Sequence, residues 1–295
     1  MKRFKRILAV FSDELEPRMG IEGLALLAEH AEAEGVDILE VTGPRLAEYP
    51  AAADSERAGV SDELRECAEK YLGRRCLSLG LAEGGGLRDS LARLAEGIYD
   101  LVVVPVGETA GRSLAERLAR KSPVGVLVLP PASVMPAESV IAAIDFSDLS
   151  PMVLDWASAF STLHGDGARK VAAHVLDLTI RTRATMIFDV GELQEEMRSG
   201  AATQLDEFVA EHAVEGAEWD RLIVEGQLAG IELVSLVRSE GDLLVIGGRG
   251  RNAWSVALLG SHVAEVVRRA ERPVLVVKRK NESLGFLREL IGWKG

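Results

Sequence analysis

The sequence predicts an α/β protein built as two tandem doubly wound domains, each with a mainly parallel sheet of about five strands flanked by helices. Three observations predict it. Short Val/Leu/Ile-rich runs alternate with amphipathic helical segments along the 295 residues, and such runs are characteristic of strands buried on both faces of a parallel sheet. Composition agrees, with 47% hydrophobic residues but only 5% aromatic ones, as expected of helices packed on an aliphatic sheet. The third observation is that landmarks recur in one order. Ile7-Leu8-Ala9-Val10-Phe11-Ser12-Asp13 resembles the run from Ile141 through Asp145 to Asp148, Asp100-Leu101-Val102-Val103-Val104 resembles Asp242-Leu243-Leu244-Val245-Ile246, and Pro123-Val124-Gly125-Val126-Leu127-Val128 resembles Pro273-Val274-Leu275-Val276-Val277. A chain of this length suits two cores of roughly 100 to 150 residues each.

The opening run is read as the first strand. Its basic start resembles an export signal, but Ser12-Asp13-Glu14 interrupts the apolar stretch and no small-residue cleavage site follows. Pro130, Pro131 and Pro136 break helix and sheet pairing and mark a linker with a boundary near residue 135. The expected divisions are 1–133, 139–280 and a tail at 281–295. In the second copy, Ser150 reads as an N-cap followed by Pro151 at the first helical position. That helix runs to about His164, with Val153, Leu154, Ala157, Phe160 and Leu163 on one face. Then come a strand at Lys170–Leu176, a helical region at Gly200–His212, a strand at Leu222–Val224 and a helix at Ile231–Arg238. A strand at Asp242–Ile246, a helix at His262–Ala270 and a strand at Val274–Val277 close the pattern. Strand and helix alternation requires right-handed crossovers and a parallel sheet, whose ligands sit beyond the carboxyl ends of the strands. Asp145, Val175 and Gly247 stand at those ends.

Between the last two strands lies Gly247 to Ser261, reading GGRGRNAWSVALLGS. Gly247 and Gly250 are three apart, and a Gly260-Ser261 pair follows just before a helix. Glycines admit close approach of a ligand to the main chain, and the unpaired amides of a helix start favour an anion. The competing reading is a glycine-rich turn with no ligand. Arg249 and Arg251 either pair with phosphates or are simply solvated, and Asp145 either serves a ligand, caps the helix that follows it or pairs with a lysine.

Other classes are disfavoured by composition. A formal net charge of −12 argues against nonspecific binding to nucleic acid or to an anionic bilayer. Cys67 and Cys76 form no CxxC pair, so neither a disulfide framework nor a thiolate zinc site is indicated, and a reducing cytoplasm fits best. His30, His164, His174, His212 and His262 lack metal-ligand spacing. No run approaches the ~20 apolar residues that span a bilayer, and a soluble protein is expected. The tail carries Leu284, Phe286, Leu287, Leu290, Ile291 and Trp293, consistent with a short amphipathic helix docked on its own protein or a sister subunit.

The spacing Gly247-x2-Gly250-x9-Gly260-Ser261, with Asp145 ending the first strand and Pro273–Val277 ending the domain, resembles the ATP-binding branch of the universal stress protein family over roughly residues 139 to 280. Residues 4 to 130 resemble a divergent copy of the same domain. The resemblance implies an adenine nucleotide, ATP or AMP, with or without Mg2+, held in the second domain. It implies that Asp145 accepts from ribose hydroxyls, that the main chain at Val175 contacts adenine, and that Gly247 lets the ribose and α-phosphate approach. Gly250, Gly260, Ser261 and His262 would offer amides to the phosphates, Ser261 could add its hydroxyl, and Arg249 belongs to the same loop. Ile144 and Phe146, flanking Asp145, complete the implied site. Family members commonly dimerise through the last strand, so the two halves are expected to pair with each other in that way, with a homodimer of the chain also open.

The first half departs from this pattern. Val10 or Phe11 is expected at the place of Asp145, which removes the ribose acceptor. From Val106 to Pro123 there are ten fewer residues than from Ile246 to Pro273, so the phosphate loop is cut out. Gly107 to Ser113 superficially resembles a P-loop but has Arg112 where lysine is required. The leading reading is a stress-response binding or regulatory module without catalytic residues. Its competitors are a slow ATP hydrolase with a base among Asp148, His174 and His262, and a scaffold or carrier of small apolar ligands with a vestigial loop.

Overall fold

The computed structural model describes residues 4–12, 15–42, 60–82, 86–107, 111–131, 133, 135–164, 167–177, 190–248 and 260–280. It separates into two compact units, one formed by the described residues of 4–135 with 278–280, the other by Pro136–Val277. Arg249, Gly250, Arg251 and the tail at 281–295 lie outside the described residues.

In the first unit the chain alternates strictly: β1 (Arg6–Ser12), α1 (Arg18–His30), β2 (Gly35–Val41), α2 (Asp62–Tyr71), β3 (Cys76–Ala82), α3 (Leu87–Leu94), β4 (Leu101–Pro105), α4 (Arg112–Lys121) and β5 (Gly125–Leu129). The strands are parallel in the order β3-β2-β1-β4-β5. Every residue of β4 and β5 is buried, as their unbroken aliphatic sequences require when helices cover both faces. Two carboxylates on β2, Asp37 and Glu40, enter this interior. Asp37 on β2 is 3% exposed and takes hydrogen bonds from Arg6 Nε at 2.8 Å and Ser78 Oγ at 2.5 Å, the partners a buried carboxylate needs.

The second unit repeats the plan: β6 (Ser139–Ala143), α5 (Ser150–Ser161), β7 (Arg169–Asp177), α6 (Val190–His212), β8 (Asp220–Gly226), α7 (Ala229–Glu240), β9 (Leu243–Gly247), α8 (Ser261–Arg269) and β10 (Val274–Val277). Its parallel order is β10-β9-β6-β7-β8, the same succession as in the first unit. Corresponding carboxylates pin the first strand in each. Asp100 Oδ2 accepts from Arg6 N at 3.0 Å, and Asp242 Oδ2 accepts from Ser139 N at 3.1 Å. Among the described residues no helix is long and apolar enough to cross a membrane.

Several elements differ from the sequence reading. Helix α5 has Leu149 at the N-cap with no side-chain cap, and Ser150 is already helical. Strand β6 stops at Ala143, so Asp145 lies two residues beyond it. Helix α6 starts at Val190 and passes through Gly200, where a side chain would meet open space. On such an exposed face a glycine lowers helix propensity without opposing tertiary packing. Strand β8 extends over seven residues.

Candidate functional site

In the second unit, β6 lies between β9 and β7, so the chain leaves the central strand toward one side first and the other later. The loops diverge there and leave a crevice at the carboxyl ends, the position where doubly wound sheets bind ligands. A cleft occupies this point. It is lined by Ala143, Ile144 and Asp145 after β6, by Ala173, His174 and Val175 on β7, and by Ile246 and Gly247 on β9. Gly260, His262 and Val263 line it from the start of α8, and Ala229 and Leu233 line it from α7. Of the residues expected from the sequence, Ile144, Asp145, Val175, Gly247, Gly260 and His262 therefore come together. Phe146 and Ser261 stand outside the lining.

Asp145 occupies the first turn after the sheet. Its Oδ1 accepts from Ser147 N at 3.0 Å and from Ser150 Oγ at 2.9 Å, an Asx turn that leads the chain into α5. The carboxylate thus organises the entry to the helix, and Oδ2 has no hydrogen bond among the described residues. The next residue, Phe146, has φ of +57°, a left-handed conformation that costs a bulky residue about 1 kcal/mol or more. Packing holds it there. The Phe146 ring lies 4.6 Å from the His174 ring and 5.7 Å from that of Phe208, which in turn lies 4.5 Å from His212. His174 is further fixed by Nδ1, 2.7 Å from the Ile144 carbonyl. Because that oxygen can only accept, Nδ1 carries the proton.

At the opposite wall the glycine loop is closed at its base. Gly248 N donates to Val277 O at 2.9 Å, and Gly260 N donates to Gly248 O at 3.3 Å. The Gly260 amide, expected to face a phosphate, is therefore engaged within the protein. Ahead of the first intrahelical bond, from Ala264 N to Gly260 O at 3.1 Å, the amides of Ser261, His262 and Val263 have no hydrogen-bond partner among the described residues. The α8 N-cap, Gly260, has no side chain to satisfy them, which leaves a partial positive charge at the helix start. Ser261 and His262 are exposed there. Sequence reasoning missed the α7 wall. Only the packing of α7 against α8 brings Ala229 and Leu233 to the cleft, and the sole local hint is the small pair Ala229-Gly230.

Strand registers allow the same positions to be found in the first unit. Ile7 pairs with Leu101 as Val140 pairs with Leu243, which puts Ser12, not Val10 or Phe11, at the place of Asp145. A hydroxyl replaces the carboxylate. Glu40 takes the place of His174, is 5% exposed, and accepts from both Ser61 N and Ser61 Oγ at 2.6 Å. An anion already satisfied by the protein thus stands where the second unit has an imidazole. Val106 N donates to Leu129 O at 3.0 Å, making Val106 the counterpart of Gly248, and Gly111, the α4 N-cap, that of Gly260. The intervening loop has four residues (107–110) against eleven (249–259). Counted between register-matched residues, Val104 with Ile246 and Gly125 with Pro273, the whole connection is six residues shorter, not ten, while the loop itself is seven shorter.

Residues 137–278 match the model of the universal stress protein family. A universal stress protein of Methanocaldococcus jannaschii is 28% identical over 152 residues, which cover 46% of this chain and 92% of that protein. In structure, the chain is similar to a functionally unknown protein from Pseudomonas aeruginosa PAO1, with a TM-score of 0.62 at 18% identity, covering 99% of this chain and 98% of that one. It is also similar to a universal stress protein from Archaeoglobus fulgidus, with a TM-score of 0.59 at 19% identity over 92% and 98% of the respective chains. These structural likenesses extend over both units and show the α/β fold.

Proposed function

We propose that the second unit binds an adenine nucleotide, ATP or AMP, and that the chain acts in a stress response as a nucleotide-dependent binding or regulatory module in the cytoplasm. The observation that carries this reading is the cleft at the switch point, where the Asp145 carboxylate, Gly247 and the first turn of α8 line one space. Each has a chemical role in it. Asp145 Oδ2, which has no hydrogen bond among the described residues, suits ribose hydroxyls, the apolar walls suit a base, and the α8 amides suit a phosphate. The first unit, with Ser12 for the carboxylate and Glu40 in place of the imidazole, is a degenerate copy of the domain that binds no nucleotide. The tandem organisation, with or without a homodimer of the chain, belongs to the same proposal.

Isothermal titration with ATP, AMP and adenosine, each with and without Mg2+, tests the reading. One adenine nucleotide per chain is expected, and native mass spectrometry of freshly purified protein would show the same stoichiometry together with the oligomeric state. Failure of every adenine nucleotide to bind would overturn it. A slow-hydrolase reading is favoured only by the two imidazoles, His174 and His262, that line the cleft and could serve as a base. Turnover above background that vanishes in Asp145→Ala would promote that reading over a pure binding module.

A further inference from the structure

We infer that Gly230, which does not line the cleft, is a positioning residue for the α8 amides and hence for the phosphate-bearing part of the nucleotide; this rests on the reading proposed above. A Cβ built at Gly230 would lie 3.0 Å from the carbonyl oxygen of His262, 3.1 Å from Glu265 Cβ and 3.3 Å from Glu265 Cγ. The first contact is the informative one, because a backbone atom cannot swing aside as a side chain can. The His262 carbonyl shares a rigid peptide plane with the Val263 amide. Pressure on that oxygen is therefore transmitted to one of the three amides that precede the first intrahelical bond of α8.

Helix α7 has little room to retreat instead. Leu233, Val234, Leu236 and Val237 are buried along it, so its position is set by the core, and close-packed interiors resist such shifts. Gly230 itself is buried in the first turn of α7, where alanine would form helix more readily. A glycine at this place permits the close approach of the two helix starts. Ala229 and Leu233 on one helix and His262 and Val263 on the other then line the cleft from one packed block. Displacing α8 by a few tenths of an ångström would leave the Asp145 side of the cleft untouched and misplace the amides.

The test compares AMP with adenosine by isothermal titration in the full-length wild type, in Gly230→Ala and in Gly200→Ala, with melting temperatures for all three. Gly200 has nothing within 4 Å of a built Cβ and controls for the general effect of alanine in a helix. The expected result is wild-type adenosine affinity in Gly230→Ala with AMP weakened about tenfold, as a small misplacement of binding groups produces, at a melting temperature close to that of the wild type. Gly200→Ala should match the wild type for both ligands. Unchanged AMP affinity in Gly230→Ala, an equal loss of both ligands, or the same selective loss in Gly200→Ala overturns the inference while leaving the nucleotide site standing. A wild type that binds neither ligand removes the site itself and the inference with it.

Discussion

Replacing Asp145 by alanine and by asparagine should separate two jobs that this carboxylate performs. Alanine removes the acceptor of two hydrogen bonds, from Ser147 N and Ser150 Oγ. Ser150 is only 1% exposed, so its hydroxyl cannot turn to water. Losing hydrogen bonds to a charged acceptor costs about 1.5–3 kcal/mol each where the donor stays unsatisfied. The Ser147 amide, in a half-buried turn, is partly rescued by solvent. A total of about 2–4 kcal/mol results, or a fall of about 6–12 °C in the melting temperature of a unit this size. The same turn also helps to hold Phe146 at its positive φ, so alanine releases that constraint as well. Asparagine keeps Oδ1 as a neutral acceptor and should cost about 1 kcal/mol, but it puts an NH2 group where Oδ2 stood. It should therefore retain most of the stability while weakening nucleotide binding about tenfold, the effect of one lost hydrogen bond to a charged group. Denaturant unfolding combined with AMP titration reads both quantities. An alanine variant within about 0.5 kcal/mol of the wild type, or an asparagine variant as unstable as alanine, would refute the assignment of the Asx turn.

Two further predictions concern the first unit. Burial first, and then the negative charges of Asp37 and Glu96, push the Tyr99 phenol up to about 12. In the unfolded chain it ionises near pH 10, so the native state holds the proton more tightly. Its contribution is complete below pH 10 and is lost as the pH rises from 10 toward 12, by up to about 3 kcal/mol. The stability gap between wild type and Tyr99→Phe should narrow over that window in pH-stepped unfolding, and a constant gap would contradict the cause given. Arg6→Ala removes the guanidinium from Asp37, whose side chain is 4% exposed against 34% for Arg6. Stranding that carboxylate should cost about 3 kcal/mol, the low end for breaking a buried pair, because Ser78 remains as a donor. A double-mutant cycle with Asp37→Asn measures the coupling, and a single-variant cost below about 1 kcal/mol would show that the pair does not hold this charge.

The aliphatic runs were legible because burial on both faces of a parallel strand leaves its mark on each residue in turn. Leu243–Ile246 and Val102–Val104 could be read that way without knowing a single neighbour. The glycine loop was equally visible, since Gly247, Gly260 and Ser261 lie close in sequence. Hydrogen-bond partners were not visible. The sequence around Asp145 suits both a ligand residue and a helix cap, and the structure puts Oδ1 in the turn and leaves Oδ2 without a hydrogen bond among the described residues. The Gly260 amide is taken by Gly248, and nothing in the loop's own sequence announces this.

Sequence by itself determined the α/β class, the repeated order of elements and the place along the chain where a ligand loop would fall. These follow from periodicity and turn chemistry, which act over a few residues. Tertiary structure alone decided that Ser12 stands for Asp145, that Glu40 stands for His174, and that Ala229 and Leu233 wall the cleft. Each depends on registers and helix contacts between residues far apart in the chain, such as the Arg6–Asp100 and Ser139–Asp242 bonds spanning 94 and 103 positions. No local pattern encodes such a contact, because its free energy exists only once the intervening chain has closed.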